Sequence, residues 1–326
     1  MNMKRFLLIV ILVLSFCGWV AGLPTLHAQP YPAHPIQMII PMDPGSAGDM
    51  VVRPFSDELS KVLKTPVIVQ NKPGAAAALG TDVVVKSKKD GYTLLYANTS
   101  AIVYAKAASP ETVPYDAIKD LEPLGLHCFF PLTLSVQGNS PWKTFGEFID
   151  HAKKNPGTVR VSTPGQGSID HFNLEIIQSL TGAQFTMIPF KGGAAAVTAL
   201  LGGHVDASSI ANSLSGPHVE SGKLRILLLS NKMREYPTVP VISELGYKRD
   251  LLMAWFALFA PVGIPEEVKK VLVPAIEKTV KNPELAAKIE KLGFIIDYRP
   301  PAELKKLAAS DYETARALSI KLGIGK

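Results

Sequence analysis

Ile36–Ile40 is an apolar run of strand length, Pro41-Met42-Asp43-Pro44-Gly45-Ser46-Ala47-Gly48-Asp49 follows it, and Met50–Leu63 then carries apolar residues at helical spacing. The three pieces read as strand, glycine-rich turn and helix. The same order returns where Pro66–Val69 runs into Asn71-Lys72-Pro73-Gly74 and a run of alanines ending in Leu79-Gly80. Val159–Ser162 leads to Thr163-Pro164-Gly165-Gln166-Gly167-Ser168 and the helical stretch Asp170–Leu180, and Phe185–Pro189 leads to Phe190-Lys191-Gly192-Gly193-Ala194. Further strand-like runs lie at Thr93–Ala97, Leu132–Val136, Leu224–Leu229, Trp255–Ala260 and Phe294–Asp297, with helical periodicity at Thr144–Lys154 and Glu266–Val280.

Strands alternating with helices predict an α/β fold of mainly parallel sheets flanked by helices. About nine strands are more than one ordinary sheet holds, so two lobes are expected, each with its own sheet. A crossing between them is placed near Leu124–Leu132 and a return in the polar, Pro-containing stretch Ser230–Trp255, with the last helices beside the first sheet. The resulting lobes are 29–128 with 231–326, and 129–230. Two crossings make a hinge, and the ligand of such a molecule lies in the cleft. Thr144 and Ser168 are the expected N-caps of their helices.

Of the 326 residues 47% are hydrophobic, which excludes disorder, while 25 Gly and 26 Pro exclude a coiled coil. No repeat of solenoid period occurs. The net charge of +6 is modest and spread along the chain, with no basic run interleaved with aromatics, so nucleic acid is not an expected partner.

Residues 1–28 read as a secretory signal peptide: Lys4 and Arg5, the apolar run Phe6–Leu14, then small residues up to a cleavage point after Ala28. An uncleaved, tethered form is the alternative, and Phe16 before Cys17 argues against a lipoprotein signal. Removing this segment lowers the formal charge from +6 to +4 and leaves Cys128 as the only thiol. No intrachain disulfide is then available, and Cys128 reads as a small buried hydrophobe beside Phe129 and Phe130.

The chemistry lies in the four glycine-rich turns. In open α/β sheets such turns sit at the carboxyl ends of strands, and the first amides of the following helix lack intrahelical acceptors. Each turn is therefore a potential anion seat. Neither the phosphate P-loop nor the dinucleotide Gly-x-Gly-x-x-Gly pattern is present, since Asp170 stands where the third glycine would be. No cofactor is implied. Ser168, Asp170 and His171 are crowded into one turn rather than spread as a catalytic triad, and His204, Asp206 and His218 read as surface residues rather than metal ligands.

Read together, these segments resemble the substrate-binding receptors of tripartite tricarboxylate transporters, the Bug family. The matching pieces, spread over the whole chain after residue 28, are Tyr31-Pro32, Pro41-x-x-Pro44-Gly45, Asn71-Lys72-Pro73-Gly74-Ala75, Asp90-Gly91-Tyr92-Thr93-Leu94-Leu95, Thr163-Pro164-Gly165-x-Gly167-Ser168-x-x-His171, Pro189-Phe190-Lys191-Gly192, Gly203-His204-Val205-Asp206, Pro217-His218-Val219 and Trp255-Phe256. The resemblance implies a two-lobed periplasmic binding protein that closes over a small carboxylate, held by backbone amides and ordered waters. Carried over, the ligand loops are Pro44, Gly45, Ser46, Ala47, Gly48 and Asp49, and Thr163, Gly165, Gly167, Ser168 and His171. By loop position, Asn98, Thr99, Ser100, Lys191 and Gly192 are expected to select the ligand at the far end.

Two departures from the family pattern bear on the ligand. Ser46 replaces a usual second glycine, and Asp43 stands where a small or apolar residue is common. Asp43 and Asp49 would repel a highly charged anion unless one of them caps a helix or meets an ammonium group, so a mono- or dicarboxylate is expected, amino and aromatic acids among the candidates. The expected molecule is a monomeric, non-catalytic periplasmic receptor delivering its solute to membrane transporter subunits. Its rivals are a ligand sensor acting on a sensor kinase and an exported hydrolase using Ser168 and His171. A bulky residue at Gly45 or Gly165 is expected to abolish binding.

Overall fold

The computed structural model describes residue 3, residues 30–75 and residues 77–324. The signal-peptide reading, its cleavage after Ala28 and the Cys17 reading lie outside the described residues. The chain divides into compact units of residues 1–33 and 34–326, and every element named below lies in the second.

Strands β1 (Ile36–Ile40), β2 (Val67–Asn71), β3 (Thr93–Asn98), β4 (Leu121–Phe130), β10 (Ala254–Pro261) and β11 (Ile295–Arg299) form one sheet, in the order β11-β4-β10-β3-β1-β2. Strands β5 (Leu132–Gln137), β6 (Val159–Thr163), β7 (Phe185–Pro189), β8 (Ala207–Ala211) and β9 (Leu224–Leu229) form a second, in the order β7-β6-β8-β5-β9. The chain passes from the first to the second across Pro131 and returns between Leu229 and Ala254.

The sheets are mixed rather than mainly parallel. β1 runs parallel to β2 and β3, and β6 parallel to β7 and β8, because a helix returns the chain between successive strands. β5 and β10 enter from the other sheet without such a return and pair antiparallel, and β4, which leads out to the first crossing, pairs antiparallel with β10 and β11.

Two strands escaped the sequence reading. β4, Leu-Glu-Pro-Leu-Gly-Leu-His-Cys-Phe-Phe, contains Pro123, Gly125 and His127, and β8, Ala-Ser-Ser-Ile-Ala, has little β-branched character. Tertiary packing overrides weak propensity in both. All five residues of β8 are buried, and the Ser162 hydroxyl on β6 bonds that of Ser208 at 2.8 Å.

Helices that follow these strands include α1 (Ala47–Leu63), α2 (Ala78–Val85), α3 (Phe145–Lys154), α4 (Ile169–Thr181), α5 (Gly193–Leu201) and α6 (Asn212–Glu220). Thr144 caps α3 in a reciprocal capping box with Glu147, and Ser168 caps α4 by accepting from the His171 amide. The last helices, α7 (Glu266–Val280), α8 (Pro283–Glu290) and α9 (Pro301–Leu322), pack mainly against the first sheet or its helix α1. Trp255 on β10 donates its indole N–H to Asp311 on α9 at 2.9 Å, which ties that helix to the sheet.

The core of the first sheet is aromatic. Phe256 stacks on Tyr96 with centroids 5.4 Å apart and on Phe130 at 4.5 Å. Cys128, fully buried, has its thiol pushed well up by burial, so it is the inert residue expected. His127 is also fully buried and shares a 2.8 Å hydrogen bond with the Tyr96 hydroxyl through Nδ1. Burial pushes its pKa down from 6.5 to about 3, so it is neutral in the fold.

A group depressed on folding stabilises above its unfolded pKa and loses that contribution as pH falls toward its folded one. Between pH 7 and pH 5, His127 should therefore cost the protein about 2 kcal/mol. The stability gap between wild type and His127→Gln, read by urea unfolding at the two pH values, should change by that amount in the variant's favour. A gap that does not move with pH would show that His127 titrates normally.

Candidate functional site

All four glycine-rich turns border one cavity of about 780 Å³, a volume typical of small-molecule sites. From the first sheet come the β1–α1 turn and the β2–α2 turn, together with Asn98 and Ser100 beyond β3. From the second come Pro164–Asp170 after β6 and Phe190–Gly193 after β7. In the β2–α2 turn Ala75 and Ala77 are held at φ +48° and +76°, a conformation that costs a residue with a Cβ energy.

Hydrogen bonding decides which helix amides remain free. At α1, Asp49 N–H donates to the Ser46 hydroxyl and Met50 N–H to the Ser46 carbonyl. The Gly45 amide donates to the Asp49 carboxylate at 3.1 Å. Among the described residues the amides of Ala47 and Gly48, on the cavity wall, have no acceptor. At α5 the Gly193 amide is likewise free and on the wall, while Gly192 N–H goes to the Pro164 carbonyl.

At α4 the first helical amide and one amide of the turn before it are taken by the protein itself. Gly167 N–H donates to His171 Nδ1 at 3.0 Å, and Ile169 N–H donates to the hydroxyl of Ser100, which reaches over from the first sheet, at 3.2 Å. A second link crosses nearby: Asn173 on α4 exchanges two hydrogen bonds with the backbone of Leu252, just before β10, at 2.8 and 3.2 Å. The unpartnered amides of Ala47, Gly48 and Gly193 are therefore open to an anion, while those of Gly167 and Ile169 in the α4 turn are not.

Of the sequence-derived residues, Ser46, Ala47, Gly48, Asn98, Ser100, Gly165, Gly167, Ser168, Lys191 and Gly192 come together on this wall. Pro44 and Gly45 point to solvent instead. Asp49 lies behind the turn, where Arg53 grips its carboxylate at 2.7 and 3.0 Å and Asn71 adds a bond of 2.9 Å. Burial alone would raise its pKa, but the bonds from Arg53, Asn71 and the Gly45 amide, with the Arg53 charge, hold it below the usual carboxylate value. Its charge is thus compensated and does not repel a ligand.

Thr99 accepts the Trp255 amide at 3.0 Å and so locks β3 to β10, and Thr163 is fully buried behind its turn. His171 is a scaffold group and not a wall group. Because Nδ1 accepts from Gly167, the ring is neutral there, and burial pushes its pKa down to about 4. Its side chain does not bond that of Ser168, which accepts the His171 backbone amide, so the pair has no nucleophile–base geometry.

The wall also holds residues that reading the turns missed. Phe130 and Phe256 come from the crossing strands, and Phe190 and Leu214 complete an apolar side. The sequence signal available for the first two was their place beside the predicted crossings. Asp43 faces Gly192 across the cavity, and Asp170 borders it from the first turn of α4.

The family model described as tripartite tricarboxylate transporter family receptor matches residues 51–324. Protein BugT of Bordetella pertussis is 34% identical over 98% of this chain and 100% of the relative. Among solved structures, the periplasmic binding protein BugD superposes with a TM-score of 0.84 at 26% identity, covering 90% of this chain and 99% of that one. MatC from Rhodopseudomonas palustris with bound malate superposes with a TM-score of 0.82 at 26% identity, covering 88% and 99%.

Proposed function

Because the chain belongs to the tripartite tricarboxylate transporter receptor family, we propose that it is an exported receptor that captures a small organic acid between two lobes and delivers it to a transporter in the membrane. One observation carries this reading: turns from two different sheets converge on one cavity and bring Ala47, Gly48 and Gly193, with their unpartnered amides, to its wall. Helix N-terminal amides favour negative charge. The lobes are taken as 29–128 with 231–326 and 129–230, the first boundary moved on to Pro131 because β4 carries the first sheet to Phe130. Residues 1–28 would direct export. The ligand binds the closed arrangement better and so shifts the population toward it. The protein acts as a monomer and performs no chemistry on its cargo.

Lys191 is the basic side chain on the wall and is exposed, and Asp43 opposes it in sign. A trianion therefore finds little charge compensation, and a mono- or dicarboxylate fits better, with amino and aromatic acids included. Native mass spectrometry of freshly purified protein should reveal a co-purifying acid. A thermal-shift panel should show stabilisation by several degrees with at least one mono- or dicarboxylate well above its Kd. Stabilisation by citrate and other tricarboxylates alone would contradict the ligand class. No response to any carboxylate, with no retained cargo, would contradict the receptor reading.

A further inference from the structure

Helices α1 and α4 each carry an aspartate in the first turn, and the two are treated oppositely. Asp49 is fully answered by Arg53, Asn71 and the Gly45 amide. Asp170 is only 4% exposed and borders the cavity, and its carboxylate accepts from the Ser209 hydroxyl at 3.3 Å. Among the described residues no lysine, arginine or histidine lies within ion-pair distance of it. Burial without a counter-charge pushes its pKa up to about 7, against bonds from its own amide and from Ser209.

An acid at a helix N-terminus is ordinarily a structural feature, satisfied by amides or a neighbouring base. Asp49 fits that description. Asp170 fits it only in part: its own amide and Ser209 bond it, but the Ile169 amide goes to Ser100 and the His171 amide to Ser168, and no base is near. Asp170 belongs to the cavity wall, which also bears Asp43 and the exposed Lys191. Two acids against one solvated lysine are better completed by a cation than by a second anion.

We propose that Asp170, with Asp43 on the same wall, seats a cationic group of the ligand, so that the solute is an amino carboxylic acid whose carboxylate takes the free amides of α1 or α5. This rests on the receptor reading and narrows its ligand class. Phe130, Phe256, Phe190 and Leu214 supply an apolar surface for the body of such a molecule.

Titration calorimetry on the whole receptor, using three acid pairs, tests the assignment: L-phenylalanine with 3-phenylpropanoate, L-leucine with 4-methylpentanoate, and L-aspartate with succinate. In at least one pair the amino member should bind at least tenfold more tightly than its partner. Asp170→Asn should bring the two within threefold, while Asp170→Glu, which keeps the charge, should retain a preference. Circular dichroism of both variants should match wild type. Desamino acids that bind as well as their amino partners, or a preference that survives Asp170→Asn, would overturn the cation seat and leave the receptor reading intact. No binding by any of the six acids counts against both.

Discussion

At pH 8, ligand-free Asp170→Asn is expected to be more stable than wild type by about 2–4 kcal/mol, several degrees in melting temperature for a chain of this size. The carboxyl has a pKa near 3.8 when unfolded and about 7 in the fold. A pKa raised on folding gives stability that is fully present below pH 3.8 and lost as pH rises through 7. Wild type therefore carries the full cost at pH 8 and almost none at pH 4, while asparagine, of the same shape, carries none at either. Denaturant unfolding of both proteins at the two pH values measures the difference. Equal stabilities at pH 8 would show that the carboxyl is compensated in the empty protein. The opposite slopes of Asp170 and His127 partly cancel in wild type between pH 4 and 6.5, so only the variants separate them.

Gly192→Val should weaken ligand binding by about 100-fold or more, which corresponds to ~2.7 kcal/mol. Gly192 has φ +103°, a region that a β-branched residue enters only with strain, and a Cβ there would lie 2.7 Å from the Asp43 carboxylate oxygen. Relief requires either pushing Asp43 out of the cavity or shifting the start of α5, and with it the free Gly193 amide. Gly45→Ala is the matched control. It also has positive φ, at +75°, but nothing lies within 4 Å of its Cβ position and the residue faces solvent. It should cost about 1 kcal/mol of stability and leave binding within threefold. This replaces the expectation from sequence that Gly45, like Gly165, is a seat for the ligand. Calorimetry beside a thermal melt reads both quantities, and normal binding by Gly192→Val would remove the β7–α5 turn from the site.

What could be read from the sequence was what local patterns encode. β1, β7 and β9 begin and end where their apolar runs do, and Thr144 and Ser168 cap their helices. The convergence of the turns followed from strand–helix topology, which puts them at one end of each sheet. β4 and β8 were hidden because Pro123, Gly125 and the serines of β8 are strand residues only by virtue of their neighbours. Strand direction at the crossings was hidden too, since no local motif encodes which way a strand enters a sheet. Within the site, motif position marked Asp49, His171 and Thr99 as ligand contacts, yet each spends its polar atoms on the scaffold. Asp170 shows the reverse. Its importance arises from bonds its neighbours have already made elsewhere, which no spacing of residues can reveal.

The Ser100 hydroxyl on the Ile169 amide, together with the Asn173–Leu252 pair, links the part of the molecule built on the first sheet directly to the part built on the second. Each is worth on the order of 1 kcal/mol when water competes for the same groups. Contacts of that size are ones that thermal motion can undo singly. On the proposed receptor function, a docking partner that gauged outline alone would then also accept carriers without cargo, and the time a carrier spends shut would have to tell the two apart.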